Sequence, residues 1–286
     1  KLQDGAAGNT GDLVISGAVT SGTLTTYGTA YDVAMTGGVS FTGDANFLNT
    51  GTLTLGGAGV SNTFAGGLGA TTQSTLSVGG TIQTTNTQMD LGALTLLADT
   101  TLDTGNGAAG VLNVGAVSSG GFALMLDSGS TAGATVVLTS FADGSGGLTI
   151  RDAGGLVTIG DVGSGGAGVV TISDSQGGVT FSGNVDATTL TLSDTANGAS
   201  ITFAEGGDVD VTTGLVSAAQ GYNVVINSAT FDAAGDTTFL NTGSVGLGNG
   251  ASDVLTFAGG LEATAQSALS VGGTIQTTNT QMDLGA

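Results

Sequence analysis

Residues Thr63–Ala93, TFAGGLGATTQSTLSVGGTIQTTNTQMDLGA, recur almost unchanged as Thr256–Ala286, TFAGGLEATAQSALSVGGTIQTTNTQMDLGA. The copies differ only at Gly69/Glu262, Thr72/Ala265 and Thr75/Ala268, so 28 of 31 positions match at an offset of 256 − 63 = 193. A globular domain gives each segment its own surroundings and has no use for the same long segment twice. An array of stacked units does, because every unit meets nearly the same neighbours. Upstream the match loosens: FLNTG at Phe47 returns at Phe239, an offset of 192, and YDVAM at Tyr31 faces YNVVI at Tyr222, an offset of 191. Single-residue slips that leave the flanking pattern intact are what surface turns between stacked strands tolerate. The second copy reaches Ala286, the counterpart of Ala93, where the first copy runs on into LTLLADTTL. The sequence therefore reads as a window, about one and a half units long, of a longer repetitive chain or assembly.

Inside the long repeat lies a shorter one. LTIRDAGGLVTIG from Leu148, VTISDSQGGVTFSG from Val170 and LTLSDTANGASITFAEGG from Leu190 share an apolar-Thr-apolar triplet, an Asp, a Gly-containing turn and a second β-branched triplet. Related triplets open at Leu53, Leu76, Leu94 and Leu124, so a period near 20 to 25 residues is read through most of the chain. In-out-in alternation is a strand signal, and Asn106-Gly107, Asn197-Gly198 and Asn249-Gly250 mark turns between strands. The 55 glycines and the absence of proline, in a chain that is still 40 % hydrophobic, suit many tight corners around a continuous apolar interior. These features predict an all-β chain, a right-handed parallel β-helix (β-solenoid) with coils of about 20–25 residues. It would run as one continuous unit over 1–286, about 13 coils and roughly 60 Å long. An antiparallel sandwich or barrel shares the short strands but does not predict near-identical segments at long range.

Charge narrows the partners. Twenty-two acids stand against two basic residues, Lys1 and Arg151, a formal net charge of −20. Such a chain has no basic footprint for nucleic acid and is repelled by anionic lipid. No stretch approaches the roughly 20 apolar residues of a membrane helix, so no membrane insertion is expected. With no cysteine there are no disulfides or zinc-thiolate sites, which fits bacterial extracellular proteins.

TFAGG at Thr63–Gly67, the Leu-Thr-Leu and Val-Thr-Ile strands and the Gly-Gly, Asp-Gly and Asn-Gly corners together carry a resemblance. The chain resembles the filamentous-haemagglutinin-like and autotransporter-like β-helical surface repeat proteins of bacteria. That resemblance covers nearly the whole chain through texture and period. It implies export to the bacterial cell surface, an elongated right-handed β-helix, and a part in adhesion, biofilm matrix, sheath or filament. Neither an N-terminal secretion domain nor a C-terminal outer-membrane barrel is found in the window.

Chemistry is limited by what is missing. Without His or Cys there is no Ser-His-Asp or Cys-His arrangement, no imidazole base and no thiolate. Two carboxylates suffice for glycoside hydrolysis, and Asp208 and Asp210 in GGDVDVTTG would share one strand face. With no Trp and three Tyr to stack on sugars, they read as solvated acids beside a turn. A lyase would want a basic residue, and only Arg151 lies within the body; beside Asp152 it reads as a local ion pair or a neutraliser of neighbouring acidic coils. GNGASDVLTFAGG (Gly248–Gly260) is similar to one turn of the calcium-binding nonapeptide of toxin-type β-rolls, but its Asp is shifted by one position and no tandem copy follows. Asp152, Asp174 and Asp194 read as closers of Asx turns. Calcium at such acidic turns is the one cofactor left open. Threonine rows at Thr23–Thr26 and Thr84–Thr87 lack the coil-by-coil regularity of an ice-binding face.

No catalytic, cofactor or metal residue is therefore assigned, and the expected role is structural: an extracellular β-solenoid of a bacterial surface filament, sheath or matrix fibre, not an enzyme. The alternative is an inert stalk segment of a large secreted adhesin, with a carbohydrate-active β-helix behind both. The expected partner is the chain itself, end to end or along the repeat, with host or neighbouring cell surfaces contacted through regions beyond this sequence.

Overall fold

A computed structural model describes residues 11–142 and 145–285; Lys1, Ala286 and the Asp-Gly corners at Asp4 and Asp143 lie outside the described residues. Three short strands make one turn. Leu13–Ile15, Val19–Ser21 and Leu24–Thr25 are the first three, and the fourth, Val33–Met35, returns to pair in parallel with Leu13–Ile15. We number the faces I, II and III in that order. Continued through the chain, this winding gives a β-solenoid of about 12 turns, all-parallel and without helix among the described residues.

One column of inward side chains traces the winding. On face I, Leu13, Val33, Leu53, Leu76, Leu94, Val117, Phe141, Val162, Val185, Val209, Phe231, Leu255 and Ile275 lie one above the other in register. Steps along this column are unequal, 94 − 76 = 18 at the shortest and 141 − 117 = 24 at the longest, so the coils reach below the expected 20. The shortest coil is short because only Gly92 and Ala93 separate the strand Met89–Leu91 from Leu94–Asp103. The triplets at Leu53, Leu76 and Leu94 belong to face I, whereas those at Leu124, Leu148, Val170 and Leu190 stack on face II. What reads in the sequence as one series of triplets is two columns, joined where the series steps from Leu94 to Leu124.

The inward strand positions are mostly apolar because most strands alternate buried and partly exposed residues, as in Val33–Met35, Met89–Leu91 and Val179–Phe181, while buried polar residues such as Asn49 and Asn241 sit at corners. Each fully buried aliphatic or aromatic side chain contributes about 1.5–3 kcal/mol relative to exposure. Aromatic rings continue the stacking inside: Phe181 lies over Phe203 at 4.9 Å and 4°, Phe203 meets Phe231 edge-on at 6.0 Å, and Phe231 reaches Phe257 at 5.4 Å.

The long repeat does not correspond to a whole number of turns. From Leu76 on face I, eight turns lead to Leu255, and two further faces lead to Leu269, which pairs with Val245 on face III. At roughly 4.8 Å per rung the offset is about 42 Å along the axis, and each copy is turned by one face relative to the other. The backbone nonetheless matches at the corners inside the segment: Gly80 and Gly273 have φ of 75° and 74°, and Asn86 and Asn279 have 60° and 57°; it parts at Gly285, which has φ 77° where its counterpart Gly92 has no positive φ. Both asparagines sit in the left-handed region, which Asn tolerates better than other side chains. The repeated segment thus carries its own corners, and more than one face of the solenoid accepts it.

Neighbouring rungs decide how deep the shared residues lie. Val78 and Met89, covered on both sides, are fully buried, whereas their counterparts Val271 and Met282 are 50 % and 38 % exposed in the last described rung. The residues are identical; what differs is the face they occupy and the rung that covers them.

Candidate functional site

The features that recur in both copies are the natural candidates for a site. Asn49 and Asn241 sit fully buried at corresponding corners. Asn49 Nδ2 donates to the carbonyls of Tyr31 (3.2 Å) and Thr52 (3.1 Å), and Asn241 Nδ2 to those of Tyr222 (3.0 Å) and Ser244 (3.3 Å). Gln73 and Gln266 repeat the pattern, donating to Phe47 and Phe239 at 2.9 and 2.7 Å. The amides of Asn49 and Asn241 also donate to the hydroxyls of Thr26 and Ser217. These polar side chains satisfy backbone groups that the corner turns away from the ladder, which is why FLNTG recurs. Their role is to fasten one coil to the next. The repetition of FLNTG was visible in the sequence, but its purpose was not, because most of the partners lie a coil away along the chain.

A shallow furrow also recurs. One of about 210 Å³ is lined by Asp236, Gly259, Gly260, Glu262 and Gln281, and its counterpart of about 340 Å³ by Asp44, Gly66, Gly67, Gly69 and Gln88. It forms where two glycines leave a rung without side chains. A Cβ on Gly66 or Gly259 would come within 2.5 Å of the backbone of Asp44 or Asp236, so the closeness of the coils dictates glycine there. Glu262 is replaced by Gly69 in the first copy, and so the carboxylate pair Asp236/Glu262 is not part of the repeated feature.

Asp208 and Asp210 do share one side of the strand Asp208–Ser217, both exposed, on the outer side of face I. Asp208 accepts a hydrogen bond from Thr230 Oγ1 at 2.7 Å, and Asp210 stacks between Asp186 and Asp232 on adjacent rungs. The arrangement is an outward ladder of carboxylates on one strand face.

Arg151 turns away from its sequence neighbour. Its guanidinium contacts Asp127 and lies 3.6 Å from Asp103, both on preceding coils. Of the two readings of Arg151, the neutraliser of adjacent acidic coils is the one realised, since register places Asp103 and Asp127 in the same column. Asp152 is left beside Asp174 and Asp127; burial first, and then these two carboxylates, raise its pKa above the ordinary value. Asp194 is raised by burial and by Asp174. Both belong to an acidic row along the corner between faces II and III. The Asx turns are made instead at Asp103 and Asp127, whose Oδ1 atoms accept the amides of Gly105 and Gly129 at 2.8 Å, and at Asp283, whose Oδ1 accepts that of Gly285 at 3.1 Å.

The Gly248–Gly260 segment uses its aspartate internally. Asp253 Oδ2 accepts the amides of Asn249 and Gly250, both at 2.8 Å, and those hydrogen bonds hold its pKa below the ordinary carboxylate range. Among the described residues no three carboxylates converge as metal ligands would.

Threonine shows a regularity that the sequence rows at Thr23–Thr26 and Thr84–Thr87 did not. Thr84 is buried, while the middle residues of the apolar-Thr-apolar triplets align outward rung by rung: Thr149, Thr171 and Thr191 on face II, and Thr158, Thr180 and Thr202 on face III. The signal was the triplet itself, once its phase on each face is known. No protein-family model matches the chain, and no curated protein and no solved structure matches it.

Proposed function

We propose that this chain is a structural rod of the bacterial cell exterior, the body of a surface filament, sheath or matrix fibre, and that it performs no catalysis. The reading rests on one observation: the same repeated segment occupies different faces of the solenoid while keeping the same internal corners. A binding or catalytic surface needs a fixed direction relative to the rest of its site, and a one-face rotation destroys that relation. Coil stacking needs only a rung above and below, and it survives rotation. The texture shared with filamentous-haemagglutinin-like and autotransporter-like surface proteins supports the same assignment, as does the shallowness of the furrow that recurs in both copies. In this reading axial growth uses the hydrogen-bonding edge of an end rung, where strand addition by a further coil or copy would bury side chains such as Val271 and Met282.

Negative-stain electron microscopy of residues 1–286 tests it. Long filaments of uniform width are expected. Isolated rods of roughly 60 Å at every concentration would refute axial assembly and leave the stalk of a secreted adhesin as the role.

A further inference from the structure

Three Asn-Gly pairs stand at corners of the rod, Asn106-Gly107, Asn197-Gly198 and Asn249-Gly250, and the structure treats them differently. In such a pair the glycine amide nitrogen can attack the side-chain Cγ of the asparagine, and negative charge then gathers on Oδ1. Two conditions favour the reaction: a nitrogen free to attack, and donors already in place around Oδ1.

At the second pair the amide of Gly198 is given to the carbonyl of Gly221 at 2.9 Å. At the third, Asp253 Oδ2 holds the amide of Gly250 at 2.8 Å, and Glu205 holds Asn249 Nδ2 at 2.6 Å. Asn106 is the reverse case. The amide of Gly107 has no acceptor among the described residues. Asn106 Oδ1 accepts hydrogen bonds from the amides of Ser130 at 2.9 Å and Thr131 at 3.0 Å, and the Thr131 hydroxyl lies 2.9 Å from the same oxygen. Two backbone N–H groups also fix which side-chain atom is the oxygen, because neither could face an NH2 group.

Consecutive peptide amides converging on one oxygen form an oxyanion hole, built here from the corner of the next coil. Asn86 Oδ1 steadies the main chain by accepting the amide of Asn106 at 2.8 Å. Asn106 is exposed and lines an open furrow of about 250 Å³, through which water enters and ammonia leaves. Donors alone do not suffice. Asn223 Oδ1 takes the amide and hydroxyl of Ser244 at 2.8 and 2.9 Å, but the next residue is Val224, inside the strand Asn223–Ile226, and its branched side chain shields the nitrogen.

We infer that Asn106 is a self-modification site, converted to aspartate or isoaspartate without an enzyme. Gly107 N bonds to Asn106 Cγ, the bond from Cγ to Nδ2 breaks, and the proton that Gly107 N loses ends on the departing ammonia. Water then opens the five-membered imide, its hydroxyl going to carbon and its proton back to Gly107 N. Opening at Cγ gives aspartate, and opening at the Asn106 backbone carbonyl gives isoaspartate. Nothing is oxidised or reduced, and water is the only co-reactant. Aspartate keeps an oxygen on the Ser130 and Thr131 amides as a charge-assisted clasp between coils, whereas isoaspartate adds a carbon to the main chain and pulls that clasp apart.

The test holds residues 1–286 in mildly alkaline buffer, folded and in urea, and follows each pair by proteolysis and tandem mass spectrometry. Folding should slow Asn197 and Asn249 at least about tenfold, because their glycine amides must first leave an acceptor. Asn106 should convert in the folded chain at least as fast as in urea. Thr131→Val removes one donor with little change of shape; it should slow Asn106 in the folded chain by about tenfold and leave the other two pairs unchanged, and Thr131→Ser should restore the rate. Protection of Asn106 by folding to the level of the other pairs overturns the inference, as does an unchanged Asn106 rate in a Thr131→Val chain with native circular dichroism. If that variant does not fold, the comparison of folded and unfolded unsubstituted chain decides alone.

Discussion

Replacing Val78 by alanine and, separately, its repeat counterpart Val271 puts the same change into the same sequence context at two depths. Val78 is fully buried between Leu55 and Leu96, whereas Val271 lies on Leu247 with no described rung above and is 50 % exposed. Val→Ala removes two carbons. At about 0.8 kcal/mol per buried carbon the transfer loss at Val78 is about 1.6 kcal/mol, and the unfilled space adds about 0.5–1 kcal/mol, for about 2–2.5 kcal/mol in all. At Val271 half of the transfer loss applies and solvent fills the gap, so the cost is about 0.8 kcal/mol. The lower strand preference of alanine affects both variants alike and cancels in the comparison. Urea unfolding of residues 1–286, followed by far-ultraviolet circular dichroism, measures the two shifts in midpoint at a common slope. Equal shifts, or a larger one for Val271→Ala, would refute the reasoning that rungs, and not the local sequence, supply the stability of a segment.

Further outcomes follow from the acidic corners. Asp152 and Asp194 have folded pKa values raised above 3.8, so their ionised forms oppose folding at neutral pH; lowering the pH through those raised values toward 3.8 stabilises the protein. Asp32 and Asp253 have lowered values, and their contribution is lost only as the pH falls below 3.8 toward those values. Thermal stability should therefore rise as the pH is lowered from 7 toward 3.8 and fall at lower pH, and Asp152→Asn with Asp194→Asn should raise stability at pH 7 and flatten the rise; an optimum at pH 7 or above contradicts this. Arg151→Gln leaves the buried Asp127 without its cation and should cost about 1–2 kcal/mol, reduced from a fully buried pair because the guanidinium is half exposed. Asp127→Asn in the same chain should recover most of that loss, and no recovery would mean that Arg151 acts through packing of its stem.

Much of this molecule was legible from Leu76–Ala93 and the apolar-Thr-apolar triplets, because a strand's period of two and a glycine-marked corner are local properties. The phase of those strands was not. Nothing local distinguishes the triplet at Leu94 from the one at Leu124, yet one lies on face I and the other on face II. Arg151 illustrates the same limit: its sequence neighbour is Asp152, but its partners come from preceding coils.

By itself, then, the sequence determined the parallel solenoid, its acidity and its long repeat, since alternation, corner glycines and charge need no knowledge of what packs where. Tertiary structure decided the three faces and the one-face rotation between copies. Those depend on the summed lengths of successive coils, which are unequal, and a small length difference in any corner is absorbed there without altering the pattern on either side.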